Sequence, residues 1–224
     1  MTPERKPALV KPRERYVPAL GFHWLTALYD PMIRAWSAAT RMRRSVIDAM
    51  ELQPGMRVLE LGAGPGRLAI QIKRAHPDVA VEAVDVDIKM VARARRNAAV
   101  AGVDVAFREA DMTQLPELGT FDRVYSTMTF HHLRPEDKQA ALAMARRVLR
   151  PGGSFVVADF NKPRGPVQWA LFTWIQQPLD GFHNTTPHRD GRYERNVRDA
   201  FGQVRSAAVW KTVAGTVEMF VCSE

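Results

Sequence analysis

The sequence predicts an open α/β fold: a doubly wound, mostly parallel sheet of seven strands, covered by helices on both faces, with an antiparallel last strand. Three observations carry that prediction. Strand-like and helix-like segments alternate from residue 56 to residue 159, and a glycine-rich turn joins the first strand to the first helix of that series. Two further apolar runs close the chain around Val213-Ala214-Gly215, whose short turn makes the final strand antiparallel to its neighbours.

Each element has its own warrant. Thr40 to Leu52 reads as an amphipathic helix ahead of the first strand, 56–61. Helix 66–75, strand 79–84, helix 88–101, strand 104–108 and strand 121–126 follow. Pro135 with Glu136 and Asp137 is a helix start for 135–149, and Pro151-Gly152-Gly153 a stop. Strand 153–159 is apolar on both faces, as a sheet covered on both sides demands. Residues 161–193 form an excursion with an aromatic helix near Gln168 to Ile175. A helix near Glu194 to Phe201 and strands 204–212 and 216–222 complete the order. Residues 1–18 are rich in proline and charge and predict an arm of little core content, and Leu20 to Ala39 is aromatic. The domain reading is therefore an arm and aromatic lid segment over 1–40 and one domain over 41–224, with a lid insertion near 161–193.

Composition narrows the function. A chain of 224 residues suits a single hydrophobic core. One cysteine, Cys222, excludes internal disulfides and any multi-cysteine zinc site, and a cytoplasmic location is expected. The N-terminal residues lack a signal-peptide core, and no run approaches the ~20 apolar residues that span a bilayer. The formal net charge is +8, with arginine clusters at Arg41/Arg43/Arg44, Arg93/Arg95/Arg96 and Arg146/Arg147/Arg150. Each cluster lies on a helix whose apolar positions face inward, and no aromatic-basic stripe accompanies them. They read as solvated faces, and nucleic acid is not expected as a partner.

The turn after the first strand carries the chemistry. In Val58-Leu59-Glu60-Leu61-Gly62-Ala63-Gly64-Pro65-Gly66, alternate glycines allow close backbone approach to a ligand. A dinucleotide fingerprint would place a third glycine where Arg67 stands, and a P-loop would end in Gly-Lys-Ser/Thr. Neither is present, and the carboxylate of Glu60 suits a cationic or zwitterionic ligand. S-adenosylmethionine has that character. Asp85 ends the second strand about 20 residues on, the spacing at which an acidic side chain meets a ribose, with Val86 beside it. Asp111 ends the third and can accept from an adenine amine, with Met112 against the ring; Ser126 and Thr127 end the fourth.

With Glu60-Leu61-Gly62-Ala63-Gly64-Pro65-Gly66, Asp85, Ala110-Asp111 with Leu115-Pro116, Phe121-Asp122, Phe130-His131-His132-Leu133 and Arg147-Val148-Leu149-Arg150-Pro151-Gly152-Gly153, the chain resembles the class I S-adenosylmethionine-dependent methyltransferases. Within them it is similar to the ubiquinone/menaquinone C-methyltransferase group. The matching residues span roughly 45 to 160 in order. The His131-His132 pair departs from the pattern of the quinone enzymes proper. The resemblance implies a Rossmann-like sheet, S-adenosylmethionine as the methyl donor, and Glu60, Gly62, Ala63, Gly64, Gly66, Asp85, Val86, Asp111, Met112, Ser126 and Thr127 around it. It also implies that the His131 segment borders the methyl site, and Tyr16 and Tyr29 suit contacts to cofactor or substrate because N-terminal tyrosines do so in similar enzymes.

In an open α/β sheet the acceptor lies beyond the carboxyl ends of the strands. Trp24, Tyr29, Trp169, Phe172, Trp174 and Phe182 predict a lipophilic wall there. Methyl transfer needs position and exclusion of water, and a histidine near neutrality can take a proton from a hydroxyl, phenol or activated ring carbon. His131 is the expected catalytic residue, with His132 holding the loop by hydrogen bonds. Asp180, His183, His188 and Asp190 have metal-ligand types but no metal spacing and read as a polar loop, so no metal is expected. The function expected is transfer of a methyl group to a small lipophilic molecule. The alternatives are a phospholipid N-methyltransferase in peripheral contact with a membrane, and a module that binds the cofactor without turnover.

Overall fold

The computed structural model describes residues 37–212 and 214–224. Helix α1 (Ser37–Ala49) precedes β1 (Arg57–Leu61), α2 (Arg67–Ala75), β2 (Ala80–Asp85), α3 (Ile88–Ala101), β3 (Ala106–Glu109) and β4 (Phe121–Thr127). A 3₁₀ turn (Phe130–His132) leads to α4 (Pro135–Arg147) and β5 (Leu149–Asn161). The excursion holds α5 (Pro166–Leu171), a π turn (Phe172–Gln176), α6 (Gln177–Asp180) and α7 (Phe182–Arg189), before α8 (Arg192–Ala200), β6 (Gln203–Thr212) and β7 (Gly215–Ser223).

The sheet order is β3-β2-β1-β4-β5-β7-β6, with β1 to β5 parallel and β7 antiparallel to both β5 and β6. This is the predicted doubly wound sheet. Alternate residues of each central strand feed two separate cores, which is why those strands read as continuous apolar runs. Val58, Ala83, Tyr125 and Val156 face α1, α2 and α3. Leu59, Leu61, Val124, Phe155 and Phe220 face α4 and α8. Strand order reverses between β1 and β4, so the crevice for a ligand opens where the β1 turn meets the end of β4.

Two boundaries differ from the sequence reading. Helix α4 stops at Arg147, because Leu149 joins the sheet opposite Phe121 and Pro151-Gly152-Gly153 becomes an irregular stretch of β5. The region around Asp180-Gly181-Phe182-His183 is helical on both sides of Gly181 (φ 87). Helix α7 has no apolar periodicity to announce it. It is held by buried polar contacts: Asn184 Nδ2 donates to the His132 carbonyl at 3.0 Å, Lys138 Nζ to the Asn184 carbonyl at 2.8 Å, and Gln177 Nε2 to Thr185 Oγ1 at 3.3 Å. Among the described residues no helix is long and apolar enough to cross a membrane.

Candidate active site

The glycine turn is built by its neighbours. A Cβ on Gly62 would strike the Thr129 side chain at 2.2 Å, and one on Gly66 would strike the Phe107 ring at 2.6 Å. Gly64, by contrast, has φ +51 and open space where its Cβ would point, so this backbone faces the crevice. Gly62 and Ala63 both donate backbone N–H groups to the Val84 carbonyl at 2.9 Å, and Ser126 Oγ donates to the Leu61 carbonyl at 2.7 Å. Asp85 ties the turn from the second strand: Oδ2 accepts from the Gly64 N–H at 2.6 Å and Oδ1 from the Asp87 N–H at 2.9 Å.

Glu60 is buried on the α2 side of the sheet, where it accepts from Tyr125 Oη at 3.3 Å and from the backbone of Ala69 in the first turn of α2. Burial pushes its carboxyl up to about 8 against those two hydrogen bonds. Desolvation also raises the Asp85 carboxyl, opposed by the N–H groups of Asp87 and Gly64. Asp111 Oδ1 accepts from the Thr113 N–H at 2.8 Å and Thr113 Oγ1 at 2.7 Å. Val86 leaves 44% of its surface exposed beside Asp85, whereas Met112 is buried.

The turn after β4 converges on Asp159 at the end of β5. Oδ2 accepts the backbone N–H groups of Thr129 at 2.9 Å and Phe130 at 2.7 Å; Oδ1 accepts His131 Nδ1 at 2.6 Å and the Phe160 N–H at 2.7 Å. The His131 imidazole, by charge and hydrogen bond, then His188 and the Phe160 N–H, hold the Asp159 carboxyl far below the usual range despite its burial. Asp159 and Asp180 raise the basicity of His131 against the opposing effect of its burial. His131 Nε2 faces Asp180 Oδ2 at 3.4 Å, and His132 Nδ1 faces Asp180 Oδ1 at 3.5 Å. It is therefore His131 that is held by a side-chain hydrogen bond, while His132 fixes the loop only through its backbone, and its buried Nδ1 has no hydrogen-bond partner. Lys138 Nζ, fully buried, straps this turn to α7 through the Leu133 and Asn184 carbonyls, and burial draws it down to about 7.

The expected site residues thus divide. Glu60, Gly62, Ala63, Gly64, Gly66, Asp85, Val86, Asp111, Met112, Ser126 and Thr127 gather at the ends of β1, β2, β3 and β4. Trp24, Tyr29 and Tyr16 lie outside the described residues. Trp169, Trp174 and Phe182 are exposed, Trp174 by 76%. Phe172 is fully buried against Phe160 and the Gly215 turn, so it fastens the excursion to the sheet. Of the four residues weighed as a polar loop, His188 turns inward: Nδ1 donates to the Phe160 carbonyl at 2.6 Å, the ring stacks on Tyr193, and burial draws its pKa down to about 3. Asp190 pairs with Arg192. Sequence reading gave Asp159, Lys138 and Asn184 no role; an acidic residue ending a strand adjacent to β4 was the available signal.

Residues 58–153 match the family described as Methyltransferase domain. The chain is 38% identical over 146 residues to demethylmenaquinone methyltransferase of Thermus thermophilus, covering 63% of this chain and 65% of that protein. It is 34% identical over 172 residues to the protein of the same name from Beutenbergia cavernae, covering 75% of this chain and 68% of that one. The chain belongs to the class I S-adenosylmethionine-dependent methyltransferases, in the ubiquinone/menaquinone C-methyltransferase group. About a third of each of these two relatives lies outside the match. In fold, the S-adenosylmethionine-dependent methyltransferase SibL in its apo form superposes with a TM-score of 0.70 at 23% identity, covering 95% of this chain and 63% of that one.

The residues present fit the methyltransferase cofactor. Gly64 offers backbone beside open space, the Asp85 carboxylate is hydrogen-bonded to it, Val86 next to Asp85 is exposed, and Asp111 follows the end of the neighbouring strand β3. Glu60, desolvated and close to neutrality, is a carboxyl that a neighbouring cation would ionise.

Proposed function

We propose that this protein transfers the methyl group of S-adenosylmethionine to a small, lipophilic acceptor that carries an ionisable hydroxyl or an activated ring carbon. The cofactor supplies an electrophilic methyl on sulfur. Asp85 receives the ribose hydroxyls, Asp111 the adenine amine with Met112 and Val86 along the ring, and Gly62, Ala63, Gly64 and Gly66 the amino-acid end, with Glu60 setting the charge of the turn. Ser126 and Thr127 border the sulfur. The acceptor's ionisable group meets the Nε2 side of His131, whose other nitrogen Asp159 fixes.

The observation that carries this reading is the tie between the two turns: the Thr129 side chain, two residues before His131, packs on Gly62, and its hydroxyl proton is shared between the Thr127 carbonyl at 3.0 Å and the Gly62 carbonyl at 3.2 Å. A cofactor on the glycine turn therefore has the His131 turn as its neighbour, and an in-line displacement needs just such fixed proximity. The demethylmenaquinone relatives support an acceptor of quinol type. The exposed side chains of Val167, Trp169, Trp174 and Phe182, on the excursion, support an acceptor delivered from an apolar surface, either a lipid headgroup region or a hydrophobic carrier. A cytoplasmic enzyme in peripheral contact with a membrane fits both.

Labelled-methyl transfer should be measured against quinols, phenols, amines and phospholipid vesicles. Transfer to a quinol or phenol is the expected result, with His131→Ala lowering turnover and leaving affinity for S-adenosylhomocysteine unchanged. Transfer confined to phospholipid amines would replace this reading with the headgroup one, and binding of the cofactor without transfer to any class would leave a binding module.

A further inference from the structure

We infer that His131, His132 and Asp180 form a binding site for one divalent transition-metal ion. Two imidazole nitrogens and a carboxylate converge from separate elements, the turn after β4 and the end of α6, and their ligand atoms all lie within 4.8 Å of one another.

The argument rests on what these atoms face. With His131 Nδ1 against Asp159 Oδ1 at 2.6 Å, Nε2 is turned toward Asp180 Oδ2, 3.4 Å away, and a metal ion there would displace any proton that Nε2 carries. A charge-assisted hydrogen bond there would be about 2.7–2.9 Å long. His132 Nδ1 faces the other oxygen of Asp180 at 3.5 Å and has no hydrogen-bond partner. Two imidazole nitrogens thus face one carboxylate, neither at the length of a charge-assisted hydrogen bond, and a cation between them would satisfy all three groups. Neighbouring ligands of a tetrahedral ion at about 2.1 Å stand about 3.4 Å apart; each imidazole nitrogen is at that spacing from one oxygen of Asp180, and binding both through a single oxygen needs the carboxylate to rotate.

The surroundings have the features of a metal site. Asp159 behind His131 supplies the carboxylate that orients a ligating imidazole, and Gln176 Nε2 donates to the Asp180 carboxylate and fixes its plane. His132 keeps 20% of its side chain exposed, which gives an ion a route from solvent. Two histidines and one carboxylate select zinc, iron(II), manganese(II) or cobalt(II) over calcium or magnesium. Three protein ligands leave open positions on the ion. With an ion bound, His131 Nε2 is a ligand and no longer meets the acceptor directly; the acceptor hydroxyl can occupy an open position on the ion instead, its O–H proton passing to solvent while the oxyanion stays on the ion. That last role rests on the function proposed above; the binding does not.

The test uses untagged full-length protein stripped with a chelator, titrated calorimetrically with zinc chloride and, separately, followed by visible absorption on addition of cobalt(II). One ion per chain is expected, with a tetrahedral or five-coordinate cobalt spectrum. His132→Ala and Asp180→Asn should each weaken binding at least tenfold, and His183→Ala, on the exposed side of α7, should not. Far-UV circular dichroism and affinity for S-adenosylhomocysteine establish that each variant is folded. No stoichiometric binding, or binding that survives both His132→Ala and Asp180→Asn, overturns the site. Metal binding intact with no methyl transfer in either metal-loaded or metal-free protein would overturn the proposed function and leave the site standing.

Discussion

Thr129 stands so close to Gly62 that a Cβ on the glycine would lie 2.2 Å from the Thr129 Cγ2 methyl. The same threonine donates to the Gly62 carbonyl. The cofactor turn and the histidine turn are thereby one packed unit. Gly62→Ala adds both a clash and a left-handed backbone at φ +75. The expected loss is about 2–4 kcal/mol from overpacking and positive φ together, together with lost cofactor binding. Urea denaturation with and without S-adenosylhomocysteine checks it, and a variant as stable as the parent would remove the coupling.

Gly64→Ala should behave differently. Its backbone is also left-handed, at φ +51, but nothing lies within 4 Å of the added Cβ. The stability cost should be near 1 kcal/mol, from the backbone alone, while cofactor affinity falls by tenfold or more because the methyl enters the crevice. Urea denaturation separates the two glycines, and calorimetric titration with S-adenosylhomocysteine checks the loss of affinity in Gly64→Ala.

The sequence marks Asp85 as a ribose ligand. Its carboxylate also accepts from Gly64 and Asp87. Asp85→Ala therefore frees two backbone donors and should cost about 1–3 kcal/mol. Asp85→Asn keeps one acceptor oxygen and should lose less stability while still losing most of the cofactor-induced rise in Tm. A rise in Tm equal to the parent's in Asp85→Asn would exclude the ribose role.

These cases mark how much the sequence could carry. The sheet was legible because its central strands are buried on both faces and its helices begin and end on recognisable residues such as Pro135 and Gly102, the latter in a left-handed cap at φ 65. That the residues expected around a cofactor gather at one sheet edge was legible because each lies at or just after the end of a strand, and in a doubly wound sheet strand ends meet. Helix α7 was not, since Asn184, Thr185 and His188 are buried by polar contacts and give no apolar period. Nor was the convergence of Asp159, Asp180 and His131, which depends on β5 lying beside β4 and on the end of α6 reaching the turn after β4.

Asp159 is the keystone of that convergence. It accepts four N–H donors, three of them from Thr129, Phe130 and His131. Asp159→Asn replaces one acceptor oxygen by a donor amide, which must then face donors in a buried site. A loss of about 3–5 kcal/mol is expected, the range for breaking a buried charge pair. Denaturation midpoints would show it, and a loss under about 1 kcal/mol would mean that the turn holds without its carboxylate.

Glu60 makes the stability of the cofactor-free protein depend on pH. Its carboxyl is raised from an ordinary 4.5 to about 8, chiefly by burial, with Tyr125 and Ala69 pulling it down and the Asp85 charge pushing it up. A folded-state pKa above the unfolded one means that the protonated carboxyl is the form the fold prefers. The contribution is complete below pH 4.5 and is lost as pH rises through about 8. Other groups titrate over the same range, so the informative quantity is the difference between the parent and Glu60→Gln, which cannot ionise. That difference should move in favour of the variant by a few kcal/mol between pH 5 and pH 8. A bound cation next to the turn should reverse the sign, because it favours the ionised carboxylate that the variant lacks. Thermal unfolding of both proteins across that range, with and without S-adenosylmethionine, measures both effects; parallel curves in the absence of ligand would show that Glu60 is ionised throughout.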